Sequence, residues 1–291
     1  MKVLILGSTG MLGQSLMSLF KKQASIVHGV ARANADFDLD IVQNLDKLKV
    51  IIEQNQYDVV INTVALINLA YCEQHPEKAY MVNTYIPGEI SKLCEQLNIY
   101  FVQISTDHYY TGDNRQLHSE SDEVVLLNEY AKTKYLAEKL VEIYPNTLIV
   151  RTNIVGFRNS NEPTFVEWIL NALNQNESLT GYTNIYTSSI DVSSFSKILY
   201  ILIVKKQTGL MNVSAVGVMS KYEFIYSLAE KFGKGYLVER GLLLNGHVQR
   251  CDSLGLSLKK LKQQLPELTI PTVNEVVDNL YEEYISNFEE R

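Results

Sequence analysis

The sequence is poor in cysteine, which excludes several kinds of site. Its 291 residues include only three cysteines, Cys72, Cys94 and Cys251. They are odd in number and far apart, and their spacing fits neither a disulfide framework nor a metal site. We therefore predict three free, buried thiols in a protein of the reducing cytoplasm, with no metal ligands.

Basic clusters and long apolar runs are also missing. The chain has 26 Lys and Arg against 33 Asp and Glu, a net charge of −7, and no basic run exceeds two residues. Nucleic-acid surfaces need clustered cations, so we predict no nucleic-acid partner. No apolar run approaches the ~20 residues of a membrane helix, so we predict no membrane partner. The apolar stretch 3–6 is too short for a signal peptide.

What the first half does contain is an alternation of short apolar runs and amphipathic segments. Strands are predicted at 3–6, 26–31, 58–63, 100–105 and 147–152. Helices are predicted at 11–22, 45–54, 76–83, 87–97 and 130–144. Strands that alternate with helices pair in parallel and are covered by helices on both faces. The pattern predicts an α/β fold with a doubly wound parallel sheet, a Rossmann fold.

The alternation weakens after about residue 156. Helices are predicted at 164–174, 221–232 and 274–288, and the segments between them read as short and turn-rich. We predict a dinucleotide-binding Rossmann domain over 1–155 and a smaller α/β substrate-binding region over 156–291. Part of the second region, about 183–215, is expected to return to the Rossmann sheet.

Three glycines separate the first predicted strand from the first helix. Gly7 allows a tight turn, Gly10 lets the backbone approach a pyrophosphate, and Gly13 lets the helix pack close to the strand. The helix N-terminus adds free N–H groups and the positive end of a dipole. Because the loop follows a strand and opens a helix, it predicts dinucleotide binding rather than a flexible turn.

The residue after the second strand indicates which nicotinamide cofactor is preferred. A carboxylate there would hold a ribose 2′-hydroxyl, and an arginine would hold a 2′-phosphate. Arg32 occupies this neighbourhood, and no acid occurs before Asp36. We favour NADPH over NADH, with a solvated loop arginine as the alternative explanation. Asp40 and Ile41 are predicted to end a third short strand.

Tyr130 and Lys134 lie four apart on a predicted helix and so share one face. A ketone that accepts a hydride needs a proton, and a lysine ammonium can lower the pKa of the tyrosine that supplies it. Tyr135 and Lys139 form a rival pair. Thr106 favours the first pair, because it follows a strand at the sheet edge where ligands sit. Its hydroxyl can polarise a carbonyl there.

Together these motifs resemble the dTDP-4-dehydrorhamnose reductase branch of the extended short-chain dehydrogenases. The resemblance covers nearly the whole chain. It is carried by the G-x-x-G-x-x-G loop from Gly7, by 62–65, 82–83, 105–107, Tyr130 to Lys134 with Glu138, 151–153 and 250–253. It implies NAD(P)H-dependent reduction of a nucleoside-diphosphate-linked 4-keto-6-deoxy sugar, in deoxysugar and cell-surface polysaccharide synthesis. Members of the family often form homodimers, which makes a homodimer an expectation here.

The resemblance also implies roles for individual residues. Tyr130 would be the acid, Lys134 its activator and a ribose ligand, and Thr106 the hydrogen-bond donor to the substrate carbonyl. The other predicted substrate-binding residues are Ser105, Asn153 and Arg250. The fork of Arg250 suits a diphosphate, with a surface arginine as the alternative explanation. The implied cofactor-binding residues are Gly7, Thr9, Gly10, Met11, Leu12, Gly13, Arg32, Asp40, Ile41, Thr63, Val64, Ala65, Asn83, Tyr130 and Lys134.

The sequence argues against one related function of the same fold and leaves two others open. Sugar-nucleotide dehydratases carry Thr-Asp-Glu after the strand, whereas this chain has Thr106, Asp107 and His108 and so lacks the second carboxylate. We expect His108 to line a loop. A nucleotide-sugar epimerase remains open. A non-catalytic regulatory subunit is also open, although the intact catalytic residues argue against it.

Two further features of the sequence bear on the ligands. Gln14 stands where the family has an acidic metal-site residue, which puts a Mg²⁺ dependence in doubt. Trp168 and Tyr182 could stack on a nucleoside base or pack in the core, and we predict that they pack in the core.

Overall fold

A computed structural model describes residues 1–23, 25–113, 115–158, 160, 162–244, 246 and 248–289. Short strands run through the whole of this part of the chain. In chain order they are β1 (Lys2–Leu6), β2 (Ile26–Ala31), β3 (Phe37–Asp38), β4 (Val59–Asn62), β5 (Tyr100–Ile104), β6 (Thr147–Arg151), β7 (Ile154–Val155), β8 (Leu179–Tyr182), β9 (Tyr186–Thr187), β10 (Ile190–Asp191), β11 (Gly209–Asn212), β12 (Met219–Ser220), β13 (Val238–Gly241) and β14 (Ser253–Leu254).

Helices connect and cover these strands. The α-helices are α1 (Met11–Lys22), α2 (Leu45–Asn55), α3 (Leu69–Gln74), α4 (Pro76–Tyr80), α5 (Ile86–Gln96), α6 (Glu129–Val141), α7 (Phe165–Asn174), α8 (Val192–Val204), α9 (Lys221–Lys231), α10 (Lys259–Gln264) and α11 (Val273–Tyr284). Met81–Tyr85 and Ile285–Glu289 are π-helical, and Gly235–Leu237 is a 3₁₀ turn. None of the helices in the described ranges combines the length and hydropathy of a membrane-spanning segment.

Seven strands form one parallel sheet in the order β11-β6-β5-β4-β1-β2-β3. In the centre of the sheet, Leu6 of β1 is in register with Val30 of β2 and Asn62 of β4, so these strands end at one edge. The predicted doubly wound Rossmann sheet is confirmed. The edge strand β11 comes from the second half of the chain, and smaller pairs lie outside the sheet: β7 with β10, β8 with β13, and β9 with β12 and β14.

The central strands read as continuous apolar runs because both of their faces are buried. In β1, Val3 and Ile5 belong to the hydrophobic core that includes α1 and α8, whereas Leu4 and Leu6 belong to the core with α2 and α5. Helices therefore cover both faces of the sheet. The three cysteines are free and buried, as predicted.

The structure corrects three element predictions. The segment at 192–204, expected to be turn-rich, is the helix α8, which begins where Asp191 Oδ1 accepts a hydrogen bond from Ser194 N at 2.8 Å. Its run of β-branched and apolar residues weakens the helical signal, and packing against α1 decides its conformation. The expected break after residue 83 is bridged by the π-helix. The third strand ends at Asp38, so Asp40 and Ile41 lie in the turn beyond it.

The glycine loop depends on two positions without a side chain. Gly7 has a φ of +83°, in the left-handed region, and a Cβ there would lie 2.6 Å from Thr63 Oγ1. Gly13, in the first turn of α1, is closer still: a Cβ would overlap the carbonyl oxygen of Gly7 and lie 2.7 Å from Ser8 Cα. The close approach of α1 to the loop therefore requires glycine at residue 13.

We predict that Gly13→Ala lowers the free energy of unfolding by about 3 kcal/mol or more, the upper range for overpacking, because backbone atoms cannot move aside as a side chain can. Urea denaturation of the purified variant measures this loss. Gly246→Ala is the matched control, since a Cβ there meets no atom within 4 Å and should leave stability unchanged. Equal stability of the two variants would contradict the close packing of α1.

Candidate active site

A large cleft of about 1320 Å³ opens at the carboxyl ends of β1, β2 and β4. This is the edge at which doubly wound sheets bind their ligands. The predicted cofactor-binding residues that line it are Gly7, Thr9, Gly10, Arg32, Asp40, Ile41, Thr63, Val64 and Ala65. Met11, Leu12 and Gly13 form the first turn of α1 instead, where the side chains of Met11 and Leu12 face the core.

The N-terminus of α1 is free to bind an anion. Gly10 is its N-cap and makes no side-chain capping bond, and the first turn contains no acidic residue. The first backbone N–H groups of a helix have no partner within the helix, and the dipole adds positive potential. Ser8 Oγ, at the same loop, is buried without a hydrogen-bond partner in the described structure. The backbone N–H groups and the dipole of this helix N-terminus therefore fit a phosphate group, whereas Ser8 Oγ lies against Gly29 of β2.

The far part of the cleft carries cations that the sequence only partly indicated. Arg32 is exposed there and forms no ion pair with any described residue. Lys21 and Arg158 line the same cleft and were not predicted. Asp36 is the nearest candidate for a ribose ligand, but its Oδ2 accepts a hydrogen bond from Gly29 N at 2.7 Å. That bond holds the carboxylate at β2, whereas Arg32, the residue directly after β2, has no ion-pair partner among the described residues.

Thr106, Tyr130 and Lys134 meet beside this cleft. Thr106 follows β5 and is 4% exposed, and α6 carries Tyr130 at 8% and Lys134 at 2%. Lys134 Nζ donates a hydrogen bond to the carbonyl oxygen of Ile104 at 2.7 Å, which ties α6 to the end of β5. Tyr130 also packs in a small apolar cluster with Leu66, a lining residue of the cleft. The three predicted catalytic residues are therefore close together.

The protonation of this group differs from the sequence-based expectation. Burial raises the pKa of Tyr130 to about 12, and a hydrogen bond with Thr106 opposes only part of that rise. Burial lowers the pKa of Lys134 to about 8, and the charge of Glu138 acts in the opposite direction. The expected lowering of the Tyr130 pKa by Lys134 is not found: burial, Asp107 and Cys72 raise this pKa, and Thr106 is the group that lowers it. At neutral pH Tyr130 keeps its proton, as a proton donor must.

The rival pair lies elsewhere on α6. Tyr135 packs edge-on against Tyr109, with ring centroids 5.9 Å apart. Lys139 Nζ lies 5.0 Å from the centre of the Tyr135 ring and forms an ion pair with Glu142 at 2.9 Å. Both side chains of this pair thus have structural partners, which favours Tyr130 and Lys134 as the reactive pair.

A buried ion pair joins β6 to α6, the helix that carries Tyr130 and Lys134. Arg151 Nη2 and Glu138 Oε2 are 2.7 Å apart, and both side chains are almost fully buried. Glu138 Oε1 also accepts a hydrogen bond from Ser105 Oγ at 2.5 Å, and Arg151 Nη1 donates to Tyr110 Oη at 2.7 Å. Ser105, expected to bind substrate, therefore turns its hydroxyl to this pair and is not among the residues that line the large cleft.

Asn83 also has a structural role in place of the expected contact with cofactor. It lies in the π-helix, is 1% exposed, and does not line the cleft. Its Oδ1 accepts from Leu66 N at 2.8 Å, and its Nδ2 donates to Leu66 O at 3.0 Å and to Thr133 Oγ1 at 3.2 Å. These bonds hold the cleft wall at Leu66 against α6.

A second cavity of about 270 Å³ lies on the other side of Tyr130, and we call it the basic pocket. Its lining residues are His108, Asn153, Phe165, Trp168, Thr180, Tyr182, Ile185, Lys221, Ile225, Leu243, Arg250, Cys251 and Leu254. These include Lys221 and Arg250 but no carboxylate. Two of the predicted substrate-binding residues, Asn153 and Arg250, line this pocket. Trp168 and Tyr182 are 43% and 36% exposed, so their predicted place in the core is wrong.

His108 lines the basic pocket and also contacts Thr106 and Tyr130. Its ring meets the ring of Tyr130 edge-on, with centroids 5.8 Å apart, and its backbone N–H donates to Thr106 Oγ1 at 3.2 Å. Asp107, beside it, is buried, and Asn153 Nδ2 donates to its Oδ2 at 2.8 Å. Burial raises the pKa of Asp107 to about 7, against the influence of Asn153 and Lys221.

The family model that describes the RmlD substrate binding domain matches residues 1–240. The chain belongs to this family.

Individual relatives agree with the family assignment. The probable low-salt glycan biosynthesis reductase Agl14 of Haloferax volcanii is 28% identical over 63% of this chain and 64% of its own length. The spore coat polysaccharide biosynthesis protein SpsK of Bacillus subtilis is 26% identical over 80% of each chain. A dTDP-4-dehydrorhamnose reductase of Bacillus anthracis, solved in complex with NADP, has a TM-score of 0.87 at 19% identity and covers 97% of this chain and 99% of its own. At that identity the likeness establishes the fold.

The family motifs did not indicate all of the site. Lys221 and Phe165, whose ring centre lies 4.7 Å from Lys221 Nζ, line the basic pocket without having been predicted. One signal was available for the lysine. Ser220 and Glu223 form the capping box of α9, so Lys221 lies in the first helical turn, where the dipole disfavours a cation.

We predict that Glu138→Gln lowers the free energy of unfolding by about 3–5 kcal/mol, because Arg151 is left buried without its counter-charge. Adding Arg151→Met should recover part of that loss, so that the double variant is more stable than the sum of the single changes implies. Thermal and urea denaturation measure all three proteins.

The control for this prediction is the surface pair Lys132–Glu129 on the same helix, with the charged atoms 2.7 Å apart. Lys132→Met should change stability by less than about 1 kcal/mol, as exposed pairs contribute little. Strictly additive losses in the Glu138 and Arg151 variants would show that the two side chains do not act as a unit.

Proposed function

We propose that this protein is a nicotinamide-dependent reductase of a nucleotide-linked 4-keto-6-deoxy sugar. One observation carries the proposal: Tyr130 belongs to the small apolar cluster against which Leu66 of the large cleft packs, and its ring also meets His108 of the basic pocket edge-on. A tyrosine between a dinucleotide-shaped cleft and an anion-binding pocket is in position to protonate a substrate that receives a hydride. The names of the relatives, reductases of glycan and dehydrorhamnose synthesis, support the same reaction.

The cofactor assigned to the large cleft is NADPH. When bound, it supplies a hydride to the carbonyl carbon. The glycine loop and the uncapped N-terminus of α1 suit its pyrophosphate, and Asp40 and Ile41 line the part of the cleft suited to its adenosine half. Arg32, which lacks an ionic partner in the described chain, suits a 2′-phosphate.

The catalytic residues move one proton. Thr106 hydrogen-bonds the carbonyl oxygen and withdraws electron density from it. Tyr130, protonated at neutral pH, gives its proton to the oxygen as that oxygen gains negative charge. Lys134, held by Ile104 O, places a positive charge near the phenolate that remains and hydrogen-bonds the nicotinamide ribose.

The basic pocket is assigned to the rest of the substrate. In a chain with a net charge of −7, a pocket lined by Lys221 and Arg250 without a carboxylate suits an anion. We assign the diphosphate to these two cations, beside Asn153 of the same pocket lining. The half-exposed rings of Trp168 and Tyr182 offer flat apolar faces for the base.

The direct test mixes the purified protein with NADPH or NADH and a panel of nucleotide-linked 4-keto-6-deoxy sugars. Oxidation of one NADPH per sugar, followed at 340 nm, is the expected result. Sugar conversion without net consumption of cofactor would instead indicate an epimerase, and no conversion of any sugar would count against an enzyme of this class.

We predict that Tyr130→Phe lowers kcat by about 100-fold to 10,000-fold, the usual contribution of a general acid, while NADPH still binds. Tyr135→Phe, which removes the corresponding hydroxyl from the rival pair, should keep near-normal turnover. Steady-state kinetics and fluorescence titration with NADPH separate the two effects. Loss of activity in the Tyr135 variant alone would transfer the acid role to that residue.

We predict that Arg32→Ala weakens NADPH binding by about 10-fold, equivalent to ~1.4 kcal/mol, and leaves NADH binding unchanged, because only NADPH carries the 2′-phosphate. Titration of both cofactors into both proteins gives the four dissociation constants. An equal effect on both cofactors would remove the basis for the NADPH assignment.

A further inference from the structure

His108 is a pocket residue that the proposed reaction does not yet use. It follows Thr106 by two residues, and its backbone N–H donates to Thr106 Oγ1 at 3.2 Å. Its ring lies edge-on to Tyr130 with centroids 5.8 Å apart, and it lines the basic pocket. The imidazole is therefore fixed beside both groups that would hold the oxygen of a ketone.

The hydrogen-bonding capacity of the ring is unused. Its Nδ1 is buried and has no partner in the described structure, and no bond to Nε2 is formed by any described residue. Buried polar atoms in proteins are nearly always hydrogen-bonded. Burial, with the charges of Lys221 and Arg250, lowers the pKa of His108 to about 4, so the ring is neutral and offers one donor and one acceptor.

The other polar side chains at this place are already engaged. Asn153 donates to Asp107 through Nδ2 and accepts from Ser189 Oγ at 2.9 Å through Oδ1. Asp107 is buried behind Asn153 and does not line the pocket. Within the described structure, His108 is thus the neutral polar side chain beside Tyr130 that is free to bind a ligand.

We propose that His108 hydrogen-bonds the C3 hydroxyl of the substrate sugar and makes the protein selective for sugars that keep it. The inference rests on the proposed function. In a 4-keto-6-deoxyhexose the neighbours of the reacting carbon are C3 and C5, and C5 bears the ring oxygen and a methyl group. The C3 hydroxyl is then the only one adjacent to the ketone, and a ketone oxygen at Thr106 and Tyr130 brings it next to His108.

The test compares two probes, dTDP-4-keto-6-deoxyglucose and its 3-deoxy counterpart, as substrates for NADPH oxidation. The wild-type protein should favour the 3-hydroxy sugar by about 100-fold in kcat/KM, since the 3-deoxy sugar leaves a buried polar atom unpaired. His108→Phe keeps an aromatic edge against Tyr130 but removes both nitrogens, and should reduce the preference to a few-fold. His108→Gln returns a donor and an acceptor and should restore part of it.

Trp168→Phe is the control, because it alters the same pocket at its exposed side. It should change KM for both sugars to the same degree and leave the preference intact. Equal turnover of both sugars by the wild type, or equal loss on both in His108→Phe, would overturn the role of His108 while the reductase assignment stands. Absence of NADPH oxidation with either sugar would overturn the reductase proposal, and the role of His108 with it.

Discussion

The geometry of the candidate active site depends on the buried ion pair between Arg151 and Glu138. Arg151 ends β6 and Glu138 belongs to α6, so the pair joins the sheet to the helix that carries Tyr130 and Lys134. Through Ser105 the same carboxylate holds the end of β5, where Thr106 begins the catalytic loop. A buried pair is tolerated only when hydrogen bonds satisfy both ions, and here each makes several. Thr106 follows β5 whereas Tyr130 and Lys134 belong to α6, and this pair fixes the positions of the two segments relative to each other.

The parallel sheet and most of its helices could be predicted from the sequence, because patterns of neighbouring residues in the chain determine these elements. Strands buried on both faces must be apolar throughout, and α1 and β2 have the bounds that their periodicity predicts. The glycine loop was recognisable because steric exclusion at Gly7 and Gly13 leaves no alternative residue. The helix α8 was missed because its β-branched residues favour helix weakly, and contacts with α1, far away in sequence, determine its fold.

The site was only partly predictable for a related reason. Thr106, Tyr130 and Lys134 follow from their places at a strand end and on one helix face. Whether a side chain faces the cavity or the protein interior, however, is decided by partners that are remote in sequence. Ser105 turns to Glu138, 33 residues away, and Asn83 turns to Thr133, 50 residues away. The same limit applies to His108. The sequence predicts only that it lines a loop, because its contacts with Tyr130 and with the basic pocket are evident only in the structure.

Lys221 is a cation that the fold holds at a cost in stability. Its ammonium lies in the first turn of α9, where the helix dipole disfavours it by about 0.3–1 kcal/mol, and burial lowers its pKa. No described carboxylate forms an ion pair with it. The anionic ligand that we propose for the basic pocket would relieve both penalties, so its binding would stabilise the fold by mass action. The region around α9 is consequently the part of the molecule whose resistance to unfolding should follow the concentration of its ligand.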